Sequence, residues 1–162
     1  MEFFEVINKR HCTRSFLSKK ISKRDISRLI EAGKRAPSAG GIYPVEFAVV
    51  KDQVAKIKLA DTTANVLHRM DFIAQASAVI VVYADVEKTE SRYKARGRDL
   101  YVIQDAATAA ENIFLAATAL GIGACWVGAF DEEGVRKVIG LKSHERPMVI
   151  MPLGYSDGQN ID

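Results

Sequence analysis

Apolar residues along the chain follow two alternating rhythms. Phe3, Phe4, Val6 and Ile7 form a stripe at helical spacing and predict a short N-terminal helix. Ser22-Lys23-Arg24-Asp25 has the form of a capping box. Ile26, Leu29, Ile30 and Gly33 follow it at helical spacing, so a second helix runs from there and ends before Pro37. The period then shortens. Glu46-Phe47-Ala48-Val49-Val50, bounded by Pro44 and Asp52, reads as a first strand. Ala78-Val79-Ile80-Val81-Val82-Tyr83 is apolar on both faces, which predicts a strand at the centre of its sheet. Between these strands Ile57, Leu59, Val66, Leu67 and Met70 mark a weaker helical region.

The strongest helical segment spans residues 100–120, with alanine at 106, 107, 109, 110, 116, 117 and 119. Alanine is the best helix former, and its small side chain lets another backbone approach closely. Gly121 and Gly123 end this helix, and Ile122-Gly123-Ala124-Cys125-Trp126-Val127 reads as a third strand. Asp131 is placed to cap a short helix through Val138 and Ile139, closed by Gly140. Pro147-Met148-Val149-Ile150-Met151 supplies the last strand, and the charged run 87–98 reads as an exposed loop. The expected fold class is α+β, one domain over residues 1–162, with a few apolar strands around a long alanine-rich helix.

Composition narrows the function. A net charge of +3 over 162 residues permits an anionic ligand but lacks the concentrated basic face of a nucleic-acid binder. Cys12 and Cys125 lie far apart in sequence, so neither a disulfide framework nor a zinc site is indicated, and a reducing cytoplasm is the simplest setting. The acidic opening Met1-Glu2-Phe3-Phe4-Glu5 is not a signal peptide, and every apolar run is too short to span a membrane. His11, His68 and His144 are scattered without a metal-ligand spacing, and no nucleophile elbow is present.

Three segments carry candidate chemistry. Arg10-His11-Cys12-Thr13-Arg14 places two permanent cations four residues apart in a break between helices, where bidentate hydrogen bonds can hold a phosphate. The alternative is two surface arginines on a frayed helix end. Pro37-Ser38-Ala39-Gly40-Gly41 is either a simple helix-to-strand turn or an open backbone ledge for a planar ligand. Around Val127 and Gly128, backbone N–H groups next to a helix N-terminus can point at a ligand; the alternative is a buried Trp126 and a glycine turn. Cys12 is either a low-pKa thiol or a small polar contact. Tyr93 among Arg92, Lys94, Arg96 and Arg98 admits an RNA-binding reading against a loop beside a pocket.

In order and spacing these segments resemble the nitroreductase family of flavoproteins. The resemblance runs from Lys9-Arg10-His11-Cys12-Thr13-Arg14-Ser15-Phe16, through Ala36-Pro37-Ser38-Ala39-Gly40-Gly41-Ile42-Tyr43-Pro44 and Gln104-Asp105-Ala106-Ala107. It continues over Leu120-Gly121-Ile122-Gly123-Ala124-Cys125-Trp126-Val127-Gly128 and closes on Leu153-Gly154-Tyr155. It implies a mostly antiparallel sheet flanked by helices, and a homodimer with two shared sites, each holding FMN. NADH or NADPH would serve as transient electron donor and a small nitroaromatic or quinone as acceptor. It implies Arg10, His11 and Cys12 at the phosphate and ribityl chain, and Arg14 at the N1/C2 edge of the flavin. Pro37, Ser38, Ala39, Gly40 and Gly41 would belong to the loop given to the partner's flavin, with Val127 and Gly128 at flavin O4 and N5.

Two departures stand out. Cys12 and Gly41 replace the Ser and Asn of many members, and no Lys or Arg follows Arg146 to match the basic residue of the family's C-terminal extension. Weaker FMN binding is expected, with Arg96 or Arg98 as partial replacements. A flavin-storage protein without efficient turnover is the alternative function.

Overall fold

The computed structural model describes residues 1–64 and 66–158. Its centre is a four-stranded antiparallel sheet in the order β1-β2-β4-β3, built from β1 (Val45–Val50), β2 (Ala78–Asp85), β3 (Gly123–Ala124) and β4 (Glu145–Gly154). The apolar run of β2 occupies an inner position, as its composition predicts, and its side chains alternate between two cores. Ile80 and Val82 join Val149, Met151 and Leu153 on one face. That face is covered by α2 (Lys23–Lys34) and α6 (Val102–Ala119). Val79, Val81 and Ile150 face the other way, against α3 (Gln53–Asp61), α4 (Phe72–Gln75) and α7 (Glu132–Ile139). The architecture is α+β, helices on both sides of an antiparallel sheet. Each fully buried Leu, Ile or Val contributes about 1.5–3 kcal/mol, so the sheet is held from both faces.

Local chemistry sets the boundaries. Ser22 caps α2 by accepting a hydrogen bond from the Asp25 N–H at 3.0 Å. Asp131 caps α7 in the same way through the Glu133 N–H, and Gly140 ends it with φ of 70°. The predicted strand 122–127 is shortened to Gly123–Ala124. Val127 nevertheless pairs with Ile150 in the register set by Gly123 with Gly154 and Ala124 with Leu153. The interruption falls opposite Pro152, which accepts from the Cys125 N–H at 3.2 Å but has no N–H to return.

One expectation is corrected. The charged run 87–98 is not a loop: it forms α5 (Val86–Arg96), followed by a π turn at Gly97–Tyr101 that leads into α6. Asp85 caps α5, and no proline interrupts the run, so a polar sequence forms a helix that lies on the surface. The N-terminal stripe does form α1 (Phe3–Lys9), but only Val6 is buried; Phe3, Phe4 and Ile7 are exposed. Among the described residues no helix is long and apolar enough to cross a membrane.

Candidate active site

Segment 10–16 leaves α1 in extended form and lies along the sheet edge. Cys12 forms a parallel bridge with Ala124, and the Thr13 N–H donates to the Ala124 carbonyl at 2.8 Å. Gly123 makes this approach possible, since a Cβ there would stand 2.6 Å from Thr13 Oγ1. Two sequence motifs more than a hundred residues apart are thereby fixed side by side. The fold accounts for the pairing: β3 is the sheet's edge strand and has a free side to offer.

Each cation in the segment has a defined place. The Arg10 guanidinium sits 5.1 Å over the Phe114 ring of α6, with Nε 4.0 Å from Glu111 Oε1. The His11 Nδ1–H donates to the Lys9 carbonyl at 2.9 Å, which leaves Nε2 toward Thr13 Oγ1 at 3.4 Å. Arg14 lines an open cleft of about 620 Å³ with Leu67, His68, Arg69, Met70, Asp71, Phe72 and Gln75. Arg69 is tied there by Asp61, at 2.7 Å from Nε, and by Asp71. The thiols of Cys12 and Cys125 interact with each other beside Arg14. Burial pushes the Cys125 thiol up to about 12; Cys12 adds to the rise and Arg14 opposes it.

The glycine loop is held by Asp105, a residue of segment 104–107 to which no role was assigned from the sequence. Asp105 of α6, only 6% exposed, accepts from Ser38 Oγ at 2.7 Å and from the Ala39 N–H at 3.1 Å. Ser38 Oγ in turn accepts from the Tyr43 N–H at 2.9 Å. This relay spans a backbone in which Gly40, Gly41 and Tyr43 all have positive φ. A cavity of about 210 Å³ opens beside it, lined by Pro37, Ser38, Tyr43, Phe47, Asp105 and Ala109 among others. On the outer side Arg92 Nη1 of α5 donates to the Gly40 carbonyl at 3.1 Å. Helix α6 thus carries both halves: the loop at Asp105, and Arg10 at Glu111 and Phe114, about two turns further on.

Three expectations about donors change. Val127 uses its own N–H and C=O on Ile150, both at 3.0 Å, so exposed Gly128 is the backbone position left to face a ligand. The N-terminus of α7 gives an anion little help, because the Asp131 carboxylate caps it and Glu132 and Glu133 fill its first turn. Arg98 is paired with Glu90 at 2.9 Å and with Asp99 at 2.8 Å, and Arg96 Nε donates to the Tyr101 hydroxyl at 2.9 Å. The basic side chain that reaches the glycine loop is Arg92.

Comparison with known proteins identifies the family of the fold. The family model described as "Nitroreductase family" matches residues 7–69 and 58–155. An Archaeoglobus fulgidus protein, provisionally named an NADH dehydrogenase/NAD(P)H nitroreductase, is 34% identical over 158 residues, covering 95% of this chain and 85% of its own. The crystal structure of a nitroreductase family protein from Clostridium novyi NT superposes with a TM-score of 0.88 at 30% identity, over 100% of this chain and 89% of that one. A Clostridium difficile R20291 protein described as an FMN-dependent nitroreductase gives 0.84 at 26% identity, over 97% and 89%. The chain belongs to the nitroreductase family of oxidoreductases.

Proposed function

We propose that this chain binds FMN and transfers hydride from NADH or NADPH to a small acceptor such as a nitroaromatic or a quinone, working as a homodimer. The observation that supports the reading is the pairing of segment 10–16 with strand β3, which sets the segment bearing Arg10 and Arg14 beside the strand that leads to Gly128. The name of the Clostridium difficile relative, an FMN-dependent nitroreductase, supports the choice of cofactor.

The residues present fit such a cofactor. Arg10 would supply a charged donor for a phosphate, with His11 and Cys12 as its polar neighbours along the ribityl chain. A Cβ built on Gly128 would meet only Trp126 Nε1, at 3.8 Å, so a flat group can come down on that backbone. Bound FMN would supply two-electron hydride chemistry. Arg14, from its cleft, would hold the negative charge that reduction places at the ring edge, favouring the reduced state electrostatically. The Ser38–Gly41 ledge, fixed by Asp105, would serve a flavin bound by a second copy. Exposed Phe3, Phe4 and Ile7 on α1 supply an apolar surface for that contact.

Anaerobic titration of the FMN-loaded protein tests the reading directly. The flavin absorption band is expected to bleach with NADH or NADPH and return on adding a quinone or nitroaromatic. A bound flavin that neither nucleotide reduces would replace catalysis with storage. Arg10→Ala is expected to weaken FMN binding by about 10- to 100-fold, the scale of one lost charge-assisted contact, when followed by flavin fluorescence. Arg10 is half-buried, holds Glu111 only at 4.0 Å and stacks on the Phe114 ring, so the apoprotein should lose no more than about 1 kcal/mol of stability. An unchanged FMN affinity would remove Arg10 from the phosphate site.

A further inference from the structure

Cys12 and Cys125 are 113 positions apart in the chain, and the fold places them side by side. Cys12 forms a parallel bridge with Ala124, the residue immediately before Cys125. Neighbouring backbones in a sheet lie about 4.8 Å apart and successive residues advance about 3.3 Å, which sets the two cysteine Cα atoms about 6 Å apart. Disulfides span Cα separations of about 4.4–6.8 Å, so the backbone spacing admits a bridge. The register turns Cys125 to the face opposite Ala124. The contact between the two thiols is made around the edge of the sheet, where Cys12 packs against both apolar clusters. The Cys125 Sγ–H donates weakly to the Trp126 carbonyl at 3.9 Å. Both thiols are free, Cys12 partly accessible and Cys125 buried.

We propose that Cys12 and Cys125 form a peroxide-oxidisable thiol pair, which closes a disulfide between the segment bearing Arg10 and Arg14 and the strand that leads to Gly128. A hydroperoxide is the oxidant. The sulfur of Cys12, the more accessible of the two, attacks the peroxide; the O–O bond breaks, Cys12 becomes a sulfenic acid and water or an alcohol leaves. The Cys125 sulfur then attacks the Cys12 sulfur, an S–S bond forms, the S–O bond breaks and a second water leaves. Each sulfur loses one electron and the peroxide gains two.

Burial holds the Cys125 thiol protonated, so in the second step its proton leaves with the hydroxyl of the sulfenic acid as water. The unmodified Cys12 thiol is one of the groups that make ionisation of Cys125 harder, and Arg14 makes it easier. No other cysteine competes, because the chain has two. The reaction requires neither flavin nor nicotinamide, so it stands or falls independently of the function proposed above.

The full chain, with and without FMN, is treated with hydrogen peroxide, denatured, alkylated and weighed intact. Closure of the pair removes two hydrogens, so the expected product is lighter by about 2 Da and takes up no alkylating agent. Its digest should contain one linked peptide joining Cys12 to Cys125, and dithiothreitol should restore both thiols. Cys12→Ser and Cys125→Ser should each abolish the lighter species and leave a singly oxygenated or alkylated thiol. If Cys125→Ser fails to fold, Cys12→Ser and the wild-type mass decide the matter, since Cys12 lies at the edge of the core. Wild-type protein that keeps two alkylatable thiols, or that gains oxygen on each cysteine separately, would overturn the proposal. A linkage between two chains in place of one within a chain would overturn it as well.

Discussion

Replacing Asp105 with alanine is expected to lower stability by about 3 kcal/mol and to weaken FMN binding through the neighbouring glycine loop. The carboxylate is buried and accepts from both Ser38 Oγ and the Ala39 N–H. Alanine leaves both donors facing a space shaped for an acceptor, and neither can easily recover a partner. For a chain of this size the loss corresponds to a fall in Tm of roughly 6–12 °C. The effect on flavin comes by another route. Gly40 and Gly41 take positive φ freely, but Tyr43 is held at φ of 51° by its N–H bond to Ser38 Oγ, which Asp105 positions. Asp105→Asn keeps one acceptor oxygen and should cost about half as much. Ser38→Ala, which removes the middle of the relay, should cost about 1 kcal/mol. Thermal melts and FMN titrations of the three variants give the comparison. A fully stable Asp105→Ala protein with normal FMN affinity would show that the relay does not set the loop.

Gly97→Ala is expected to be at least as damaging, although Gly97 has an ordinary helical φ of −64°. A Cβ there would lie 2.2 Å from the Thr89 carbonyl oxygen and 2.6 Å from the carbonyl carbon, both backbone atoms. No side-chain rotation can relieve the overlap, so α5 must move away from the π turn. Overpacking of a rigid interior costs about 1–3 kcal/mol, and the backbone contact puts this site at the upper end. The expected result is a Tm lower by roughly 6–12 °C together with faster tryptic cleavage at Lys88, Arg92, Lys94 and Arg96. The Arg92 bond to the Gly40 carbonyl should be lost with the displacement. A variant with wild-type melting and unchanged cleavage would mean that α5 tolerates a shift that the packing around Thr89 argues against.

Much of the fold is legible in the residues themselves. The apolar run 78–83, the caps at Ser22 and Asp131, and the alanine-rich helix all act locally, through burial on two faces or through side chains that reach nearby N–H groups. Helix α5 was hidden because its stability draws on the Asp85 cap and on contacts with the π turn rather than on an apolar stripe. The exposure of Phe3, Phe4 and Ile7 was hidden for the opposite reason: a helical stripe shows that one face is apolar, not what covers it. Arg10 and Arg14 were readable as cations in a helix break. Their meeting with residues 123–128 depends on a long-range parallel bridge that no local pattern encodes. Asp105 stood in segment 104–107 of the family resemblance, but its partner Ser38, 67 positions away, is set by the fold alone. The cleft beside Arg14 was missed because residues 67–75 combine weak helical signals with scattered charge.

The exposed phenylalanines have a further consequence. Helix α1 ends at Lys9, and Arg10 is its C-cap residue, with its N–H bonded to the Val6 carbonyl at 3.0 Å. Whatever holds α1 therefore also sets the starting point of the phosphate-binding segment. Val6 is the residue of the helix that its own chain buries. On the proposed homodimer, FMN retention becomes a function of protein concentration: dilution that separates the copies should release flavin, and excess flavin should draw the copies together by mass action.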